Sequence, residues 1–314
     1  MSSSASNGNL QDGKLLPFQM DHLPEFFLKK SEIELNETPE HKREKIQELK
    51  TMIAGNQATN GFNFEEDILV QYLRHSKFDV QRAFNHVQNY VALRSKHSHL
   101  FKSIPDDYFH SKNSVHFVLP LPERSPDGCT IILTRTGKWD TGEMAYDDLV
   151  RLSMMTFCQM MRDPMTQING FKVIHDFKDT TWSHYRYCTP RNLHFLFYAT
   201  IDCIPARYKE IHFINESFVL RAVWIVIKRF LSAKIRSRAV SSLRQSSPSF
   251  NSSTAFDTSR VFTEISGIES LSPNSLGFHC MCVELQNVNK THEGSIINVN
   301  VNVHCSFSVA LELK

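Results

Sequence analysis

Glu210-Ile211-His212-Phe213-Ile214-Asn215 is followed, after Glu216, by Ser217-Phe218-Val219-Leu220-Arg221-Ala222-Val223-Trp224-Ile225-Val226-Ile227, with the same character continuing to Arg236. The first six residues are short and rich in β-branched and aromatic side chains, the signature of a buried strand. The stretch after them sets Leu220, Val223, Trp224, Ile227, Phe230 and Leu231 at helical spacing on one face, which predicts a helix over 217–236. Ala222, Ile225 and Val226 widen that stripe beyond one buried face. Two readings fit such a helix: a core element between layers with solvated basic ends, or a cover over an apolar interior that can swing toward a membrane.

Upstream the same strand-then-helix rhythm repeats. Phe171-Lys172-Val173-Ile174-His175, opened by Gly170, reads as a strand and is followed by a helix near 190–203 that ends before Pro205. Thr130-Ile131-Ile132-Leu133-Thr134 reads as another, followed by a helix near 145–162. Three strand–helix units in succession give an α/β class, βαβαβα, with a mostly parallel sheet.

Residues 30–100 have a different texture. Thr38 can cap a helix over 38–54, with Pro39 in its first turn. A second helix is expected over 64–75. A third starts after Asp79 and places Val80, Ala83, Phe84, Val87 and Val91 on one face. These form an N-terminal all-helical unit whose apolar faces must meet each other or the α/β part. The first 20 residues are rich in Ser, Asn and Gly and read as disordered.

After Arg238 the character changes again. Residues 239–259 are rich in Ser and Thr without apolar periodicity, as in a linker. From Ile297, Val299, Val301, Val303, Cys305, Phe307 and Val309 alternate with polar residues, the pattern of a half-buried strand or hairpin.

Composition narrows the function. A hydrophobic share of 41% and an aromatic share of 11% supply a sizeable core. Thirty-five Lys and Arg against 33 Asp and Glu leave a net charge of +2, which argues against nucleic acid as the partner of the whole chain. The seven cysteines are scattered and odd in number, and the opening residues lack the apolar segment of a secretory signal; a reducing cytosol fits best. No apolar run approaches the roughly 20 residues that span a bilayer. Charge is concentrated in 205–238, where Arg207, Lys209, Arg221, Lys228, Arg229, Lys234, Arg236 and Arg238 face only Glu210 and Glu216.

Enzymatic motifs are sparse. The sequence has no Gly-x-Gly-x-x-Gly, no Walker loop and no Gly-x-Ser-x-Gly elbow. Cys129 and Arg135 stand six apart, as in cysteine phosphatases, but a strand rather than a phosphate-cradling loop separates them. His175-Asp176 and His212 on neighbouring strands suggest acid–base work only if a nucleophile joins them. His279, Cys280, Cys282, His304 and Cys305 match no common zinc spacing. The expectation is no catalytic residue, no metal and no cofactor.

The segment from Tyr72-Leu73-Arg74-His75-Ser76-Lys77-Phe78-Asp79-Val80 to Ala83 and Tyr90 resembles the helical N-terminal unit of the CRAL-TRIO lipid-transfer family. Asp127-Gly128, then Thr134-Arg135-Thr136-Gly137-Lys138-Trp139-Asp140, Gly170 to Phe177, and Ile204 to Glu216 continue the resemblance in order. It covers roughly residues 20–238 and lies nearest the α-tocopherol transfer protein and cellular retinaldehyde-binding protein branch. The resemblance implies a disordered stretch over 1–20, a helical unit over 21–104, a truncated lipid-binding domain over 105–238 and a divergent, partly disordered tail over 239–314. It implies one lipophile held between the sheet and a mobile lid helix at 217–236, lined by Ser153, Phe157, Phe171, His175, Ile204, Ile211, Leu220, Val223, Ile227 and Leu231. It also implies a phosphoinositide headgroup site at Arg207, Lys209, Lys234 and Arg238, and a cytoplasmic carrier that docks transiently on membranes.

The departures are specific. Ser217 and Arg229 stand where relatives usually have Pro. Relatives continue past residue 238 with another strand, a His-Gly turn and a helix, and 239–314 contains no such text. The implication is an alternative C-terminus joined near residue 238 and a sheet short of its next strand. The competing functions are a phosphoinositide-reading regulatory module that ferries no cargo, a carrier variant without function, and, more remotely, a hydrolase-like enzyme built on His175 or His212.

Overall fold

The computed structural model of the chain describes residues 23–102, 108, 112–216, 223–225, 228–229, 231–241 and 301–302. Four helices come first: α1 (Glu25–Leu35), α2 (Pro39–Gly55), α3 (Glu66–His75) and α4 (Val80–Lys96), with a two-residue strand β1 (Phe62–Asn63) before α3. The expected caps hold α2 and α4. Thr38 accepts from the His41 N–H at 3.2 Å and Asp79 from the Arg82 N–H at 3.0 Å. The helix α1 was not foreseen, because Phe26, Leu28 and Ile33 fall outside its buried stripe of Phe27, Ser31 and Leu35.

The α/β part contains β2 (Val118–Pro120), β3 (Thr130–Arg135), α5 (Tyr146–Met160), α6 (Pro164–Asn169), β4 (Phe171–Asp176), α7 (Trp182–Tyr185), α8 (Pro190–Phe197), β5 (Tyr208–Ile214), α9 (Ala233–Arg238) and β6 (Ala239–Ser241). Past α8 the chain widens into π-helical turns over Tyr198–Cys203 before Pro205 ends the helical course. The sheet runs β2-β3-β4-β5-β6, with β2 antiparallel to β3 and the other pairs parallel. The expected α/β class with a mostly parallel sheet is therefore what the chain adopts.

Two expectations about the end of this part are corrected. The sheet does not stop at β5: Ala239, Val240 and Ser241 pair in parallel with Ile211, His212 and Phe213. A three-residue strand is too short to leave a pattern in a Ser-rich stretch. The single helix expected over 217–236 is also broken. Residues 223–225 are helical and the Lys228 N–H still bonds the Trp224 carbonyl at 3.0 Å, but Leu231 and Ser232 leave the helix. The Ser232 hydroxyl then accepts from the Ile235 N–H at 3.3 Å and starts α9 afresh. Residues 217–222, 226–227 and 230, and with them Leu220 and Ile227, lie outside the described residues.

Of the alternating segment, Val301 and Asn302 form β7, which pairs in parallel with Phe62 and Asn63 of β1 and not with the five-stranded sheet. The remainder of 242–314, including His279, Cys280, Cys282, His304 and Cys305, lies outside the described residues, as does 1–22.

The described residues form two apolar cores, and Tyr90 of α4 packs against both. The larger one joins one sheet face to α5, α8 and Val223, Trp224 and Leu231; the other joins α1 to α4 with Met165 and Ile168 of α6. The helical unit thus buries its apolar faces both internally and on α6. Polar ties reinforce the junction. Arg74 forms a fork with Glu37 at 2.6 and 2.7 Å and donates to Gln167 at 2.5 Å, and the Tyr72 hydroxyl donates to the Cys203 carbonyl at 3.0 Å. Asp163 caps α6 and pairs with the fully buried Arg124, tying α6 to the turn before β3.

Candidate functional site

Strand register decides which side chains share a face of the sheet. Thr134, His175 and Phe213 align across β3, β4 and β5, and Ile132, Val173 and Ile211 align one step below. Alternation sends these residues to one face, where Phe171, Ile204 and Tyr208 join them. Ile131, Leu133, Ile174 and Ile214 go to the other face and form a separate small cluster with Leu121.

Val223, Trp224 and Leu231 meet the first face. The Trp224 ring lies 5.0 Å from that of Phe213, which stacks on His175 at 5.4 Å and on Phe177 at 6.2 Å. Val223 and Trp224 are partly buried against this cluster and Leu231 is fully buried in it. From below, Phe157 of α5 packs edge-on to Phe171 at 5.2 Å. Ser153, on the same helix, donates to the Leu149 carbonyl at 2.9 Å and so presents little free polarity. The polar feature of this face is the Thr134 hydroxyl, 2.5 Å from Nδ1 of His175. Burial lowers the His175 pKa to about 4, so its imidazole is neutral at physiological pH. Of the ten positions implied for lipid contact, Phe157, Phe171, His175, Ile204, Ile211, Val223 and Leu231 lie in or beside this cluster. Ser153 lies on the packed helix, and Leu220 and Ile227 are outside the described residues.

The enzymatic constellations do not assemble. His175 and His212 point to opposite faces of the sheet; His212 sits 2.8 Å from Glu210, which pairs with Lys172 at 3.1 Å. Asp176 binds the strand ends together, accepting from the Lys178 N–H at 2.9 Å and the Asn215 amide at 2.8 Å. Burial, then the Asp127 carboxylate, raises the Cys129 thiol to about 11, the reverse of nucleophile activation. Among the described residues no cluster of His, Cys, Asp or Glu could hold a metal, and no helix is long and apolar enough to cross a membrane.

The four basic residues singled out from the sequence do converge. Arg207 donates to the Ile168 carbonyl at the end of α6, and Arg238 donates to the Tyr208 carbonyl. Gly170 lets the Arg207 backbone pack against it and accept from the Phe171 N–H at 2.8 Å: its φ is +90°, and a Cβ there would lie 2.1 Å from the Arg207 carbonyl oxygen. The pKa values of Arg207, Lys209, Lys234 and Arg238 are all lowered, first by loss of surrounding water. Mutual repulsion adds to this: Arg238 acts on Arg207, Arg207 on Lys209, and Arg238, Arg82, Arg207 and Lys77 on Lys234. Arg82 and Lys77, missed in the sequence, therefore belong to the same patch. So does Lys30, which acts on Lys209. One carboxylate lies among them: Glu34 of α1, 3.7 Å from Arg207, 3.7 Å from Lys209 and 3.8 Å from Lys30.

Residues 115–244 match the family model described as CRAL/TRIO domain. The chain contains a CRAL/TRIO domain. Clavesin-1 of Pongo abelii is 28% identical over 234 residues, covering 74% of this chain and 65% of the relative. Clavesin-2 of Homo sapiens is 28% identical over 213 residues, covering 67% of this chain and 65% of the relative. The chain thus spans just under two thirds of the length of these relatives. Among solved structures, that of Sfh5 aligns with a TM-score of 0.41 and 12% identity, covering 65% of this chain and 81% of that one. CRAL/TRIO proteins are a family of lipid-binding and lipid-transfer proteins, and the expected family resemblance is borne out. The match runs through α9 and β6, so the short strand after residue 238 lies within the family domain.

Proposed function

We propose that this CRAL/TRIO domain binds one hydrophobic lipid against the β3–β5 face beneath Val223, Trp224 and Leu231, and delivers it at an anionic membrane surface recognised through phosphoinositide headgroups. The observation that carries the reading is the apolar and aromatic face of Ile132, Phe171, Val173, Ile211 and Phe213, with Trp224 and Leu231 over it. The Thr134–His175 pair gives that face a neutral polar handle, suited to a lipophile with a single hydroxyl, carbonyl or ester group. Neither residue activates a nucleophile, so the reading is of a carrier and not an enzyme.

Energetics divide the task between the two surfaces. A lipid with about fifteen buried methylenes loses roughly 12 kcal/mol on release into water, at ~0.8 each. Release therefore belongs at a membrane. Each basic residue held near an anionic bilayer contributes about 1 kcal/mol, so Arg207, Lys209, Lys234 and Arg238 together supply about 4. That suffices for reversible docking and for biasing an opening equilibrium, but not for permanent anchoring.

Native mass spectrometry of the chain purified from cells tests the cargo: a lipophile of defined mass is expected on the folded protein and absent after organic extraction. The competing reading, a phosphoinositide-reading module without cargo, draws on how closely the basic residues converge. It predicts headgroup-dependent vesicle binding by a protein that carries no lipid and exchanges none between vesicles.

A further inference from the structure

The helix α1 carries a feature the lipid-carrier reading does not use. Phe26 is 60% exposed, Leu28 52% and Ile33 84%, so an eleven-residue helix holds three of the five exposed large hydrophobic residues among those described. Phe26, Lys29, Lys30 and Ile33 fall at i, i+3, i+4 and i+7 on one face, with the Lys30 ammonium 5.8 Å from the centre of the Phe26 ring. The opposite face, Phe27, Ser31 and Leu35, is buried in the core shared with α6. The helix is therefore fixed to the body of the protein and presents apolar side chains flanked by lysines to solvent.

Its location supplies the second observation. Glu34, next to Ile33, reaches into the basic patch, 3.7 Å from Arg207, 3.7 Å from Lys209 and 3.8 Å from Lys30, and shares a side-chain hydrogen bond with Arg207. The exposed apolar face and the basic patch are thus neighbours on one side of the molecule. Bulky apolar side chains beside clustered cations match the two layers of an anionic bilayer, whose phosphates lie outside its acyl chains.

We propose that the exposed face of α1 is part of the membrane-docking surface: Phe26 and Ile33 enter the headgroup region of an anionic bilayer while a lipid phosphate replaces the Glu34 carboxylate on Arg207 and Lys209. Glu34 is then a built-in competitor that keeps the basic patch partly neutralised away from membranes and lowers the affinity for weakly charged surfaces. This rests on the reading of the basic patch as a headgroup site.

The test is sedimentation of the full chain with phosphatidylcholine vesicles, alone or containing phosphatidylserine and phosphatidylinositol bisphosphate. The double change Phe26→Ser and Ile33→Ser is expected to weaken partition onto the anionic vesicles about tenfold or more, and Ile33→Trp to strengthen it. Glu34→Gln is expected to strengthen it several-fold. Hydrogen exchange over residues 25–35 is expected to slow on vesicles. Because Phe26 and Ile33 are exposed, the unfolding midpoint should be unchanged in their variants, which separates docking from folding. If Lys209→Ala with Arg238→Ala lowers binding but the α1 variants do not, the role of α1 is overturned and the headgroup site stands. If the unmodified chain ignores anionic vesicles, both fail. If the chain is instead a dimer that the serine variants split with no change in vesicle binding, the exposed face belongs to a second copy and the proposal is wrong.

Discussion

Replacing Glu37 or Arg74 tests whether the helical unit and the CRAL/TRIO domain form one cooperative structure. Both side chains are 8% exposed, and Arg74 spends its guanidinium on Glu37 and on Gln167 of α6. Removing one partner of a buried pair costs about 3–5 kcal/mol, because the other charge stays in a poorly solvated place. The two single changes are not equivalent. Arg74→Met leaves Glu37 beside Lys42 at 3.8 Å, whereas Glu37→Leu leaves Arg74 with only the neutral Gln167 oxygen. Glu37→Leu should therefore cost more. For a chain of this size, 3–5 kcal/mol lowers the melting temperature by roughly 6–20 °C. The double variant, Glu37→Leu with Arg74→Met, removes both charges and should recover at least about 2 kcal/mol of the summed losses. Urea unfolding followed by far-ultraviolet circular dichroism and by tryptophan fluorescence gives all four stabilities. The tryptophans lie outside the helical unit, so coincident transitions mark one cooperative structure. Single changes below about 1 kcal/mol that add in the double variant would refute the reasoning. So would a helical unit that unfolds separately with the tryptophan signal unmoved.

Other outcomes follow from the same geometry. Gly170→Ala forces a Cβ to within 2.1 Å of the Arg207 carbonyl at a φ of +90°, so it should lower stability by more than about 2 kcal/mol in urea unfolding and weaken vesicle binding through displaced Arg207. His75 and His175 have pKa values lowered by burial to about 3 and about 4, below the unfolded value near 6.5. The unfolded chain therefore binds more protons below pH 6.5, and stability falls as pH drops from about 6.5 toward 4, by up to about 1.4 kcal/mol per pH unit for each histidine. His175→Gln should flatten that slope in unfolding curves between pH 6.5 and 5. Binding to anionic vesicles should fall steeply with salt, and Lys209→Ala with Arg238→Ala should flatten that dependence.

Much of this molecule is legible in its sequence, for identifiable reasons. The strands at Thr130–Arg135 and Phe171–Asp176 are buried almost throughout and Tyr208–Ile214 in large part, and that burial shows in the sequence as β-branched and aromatic residues. The caps at Thr38 and Asp79 are local chemistry, readable from neighbouring residues alone. The break at Leu231–Ser232 was missed although its signal was present, since Leu231 and Ile235 keep helical spacing across it while Ser232 caps the next helix. The helix α1 was missed because its exposed Phe26 and Ile33 contradict the one-stripe pattern that periodicity detects. Sequence position shows only the part of the basic patch that lies within 205–238. Lys30, Lys77 and Arg82 reach it from α1, the turn after α3 and α4, a convergence that only the docking of the helical unit creates. The facing histidines illustrate the converse: neighbours in strand order, they are separated by the sheet because register places Phe213, not His212, opposite His175.

The central claim is that a hydrophobic lipid lies between the β3–β5 face and the lid segment. Photolabelling tests it most directly. A lipid bearing a diazirine in its acyl chain is loaded onto the chain, irradiated, and the labelled peptides sequenced by mass spectrometry. The account predicts adducts within 171–175, 204–213 and 223–231, suppressed by excess unlabelled lipid. Labelling confined to the exposed face of α1, or spread over the surface and indifferent to competitor, would contradict it.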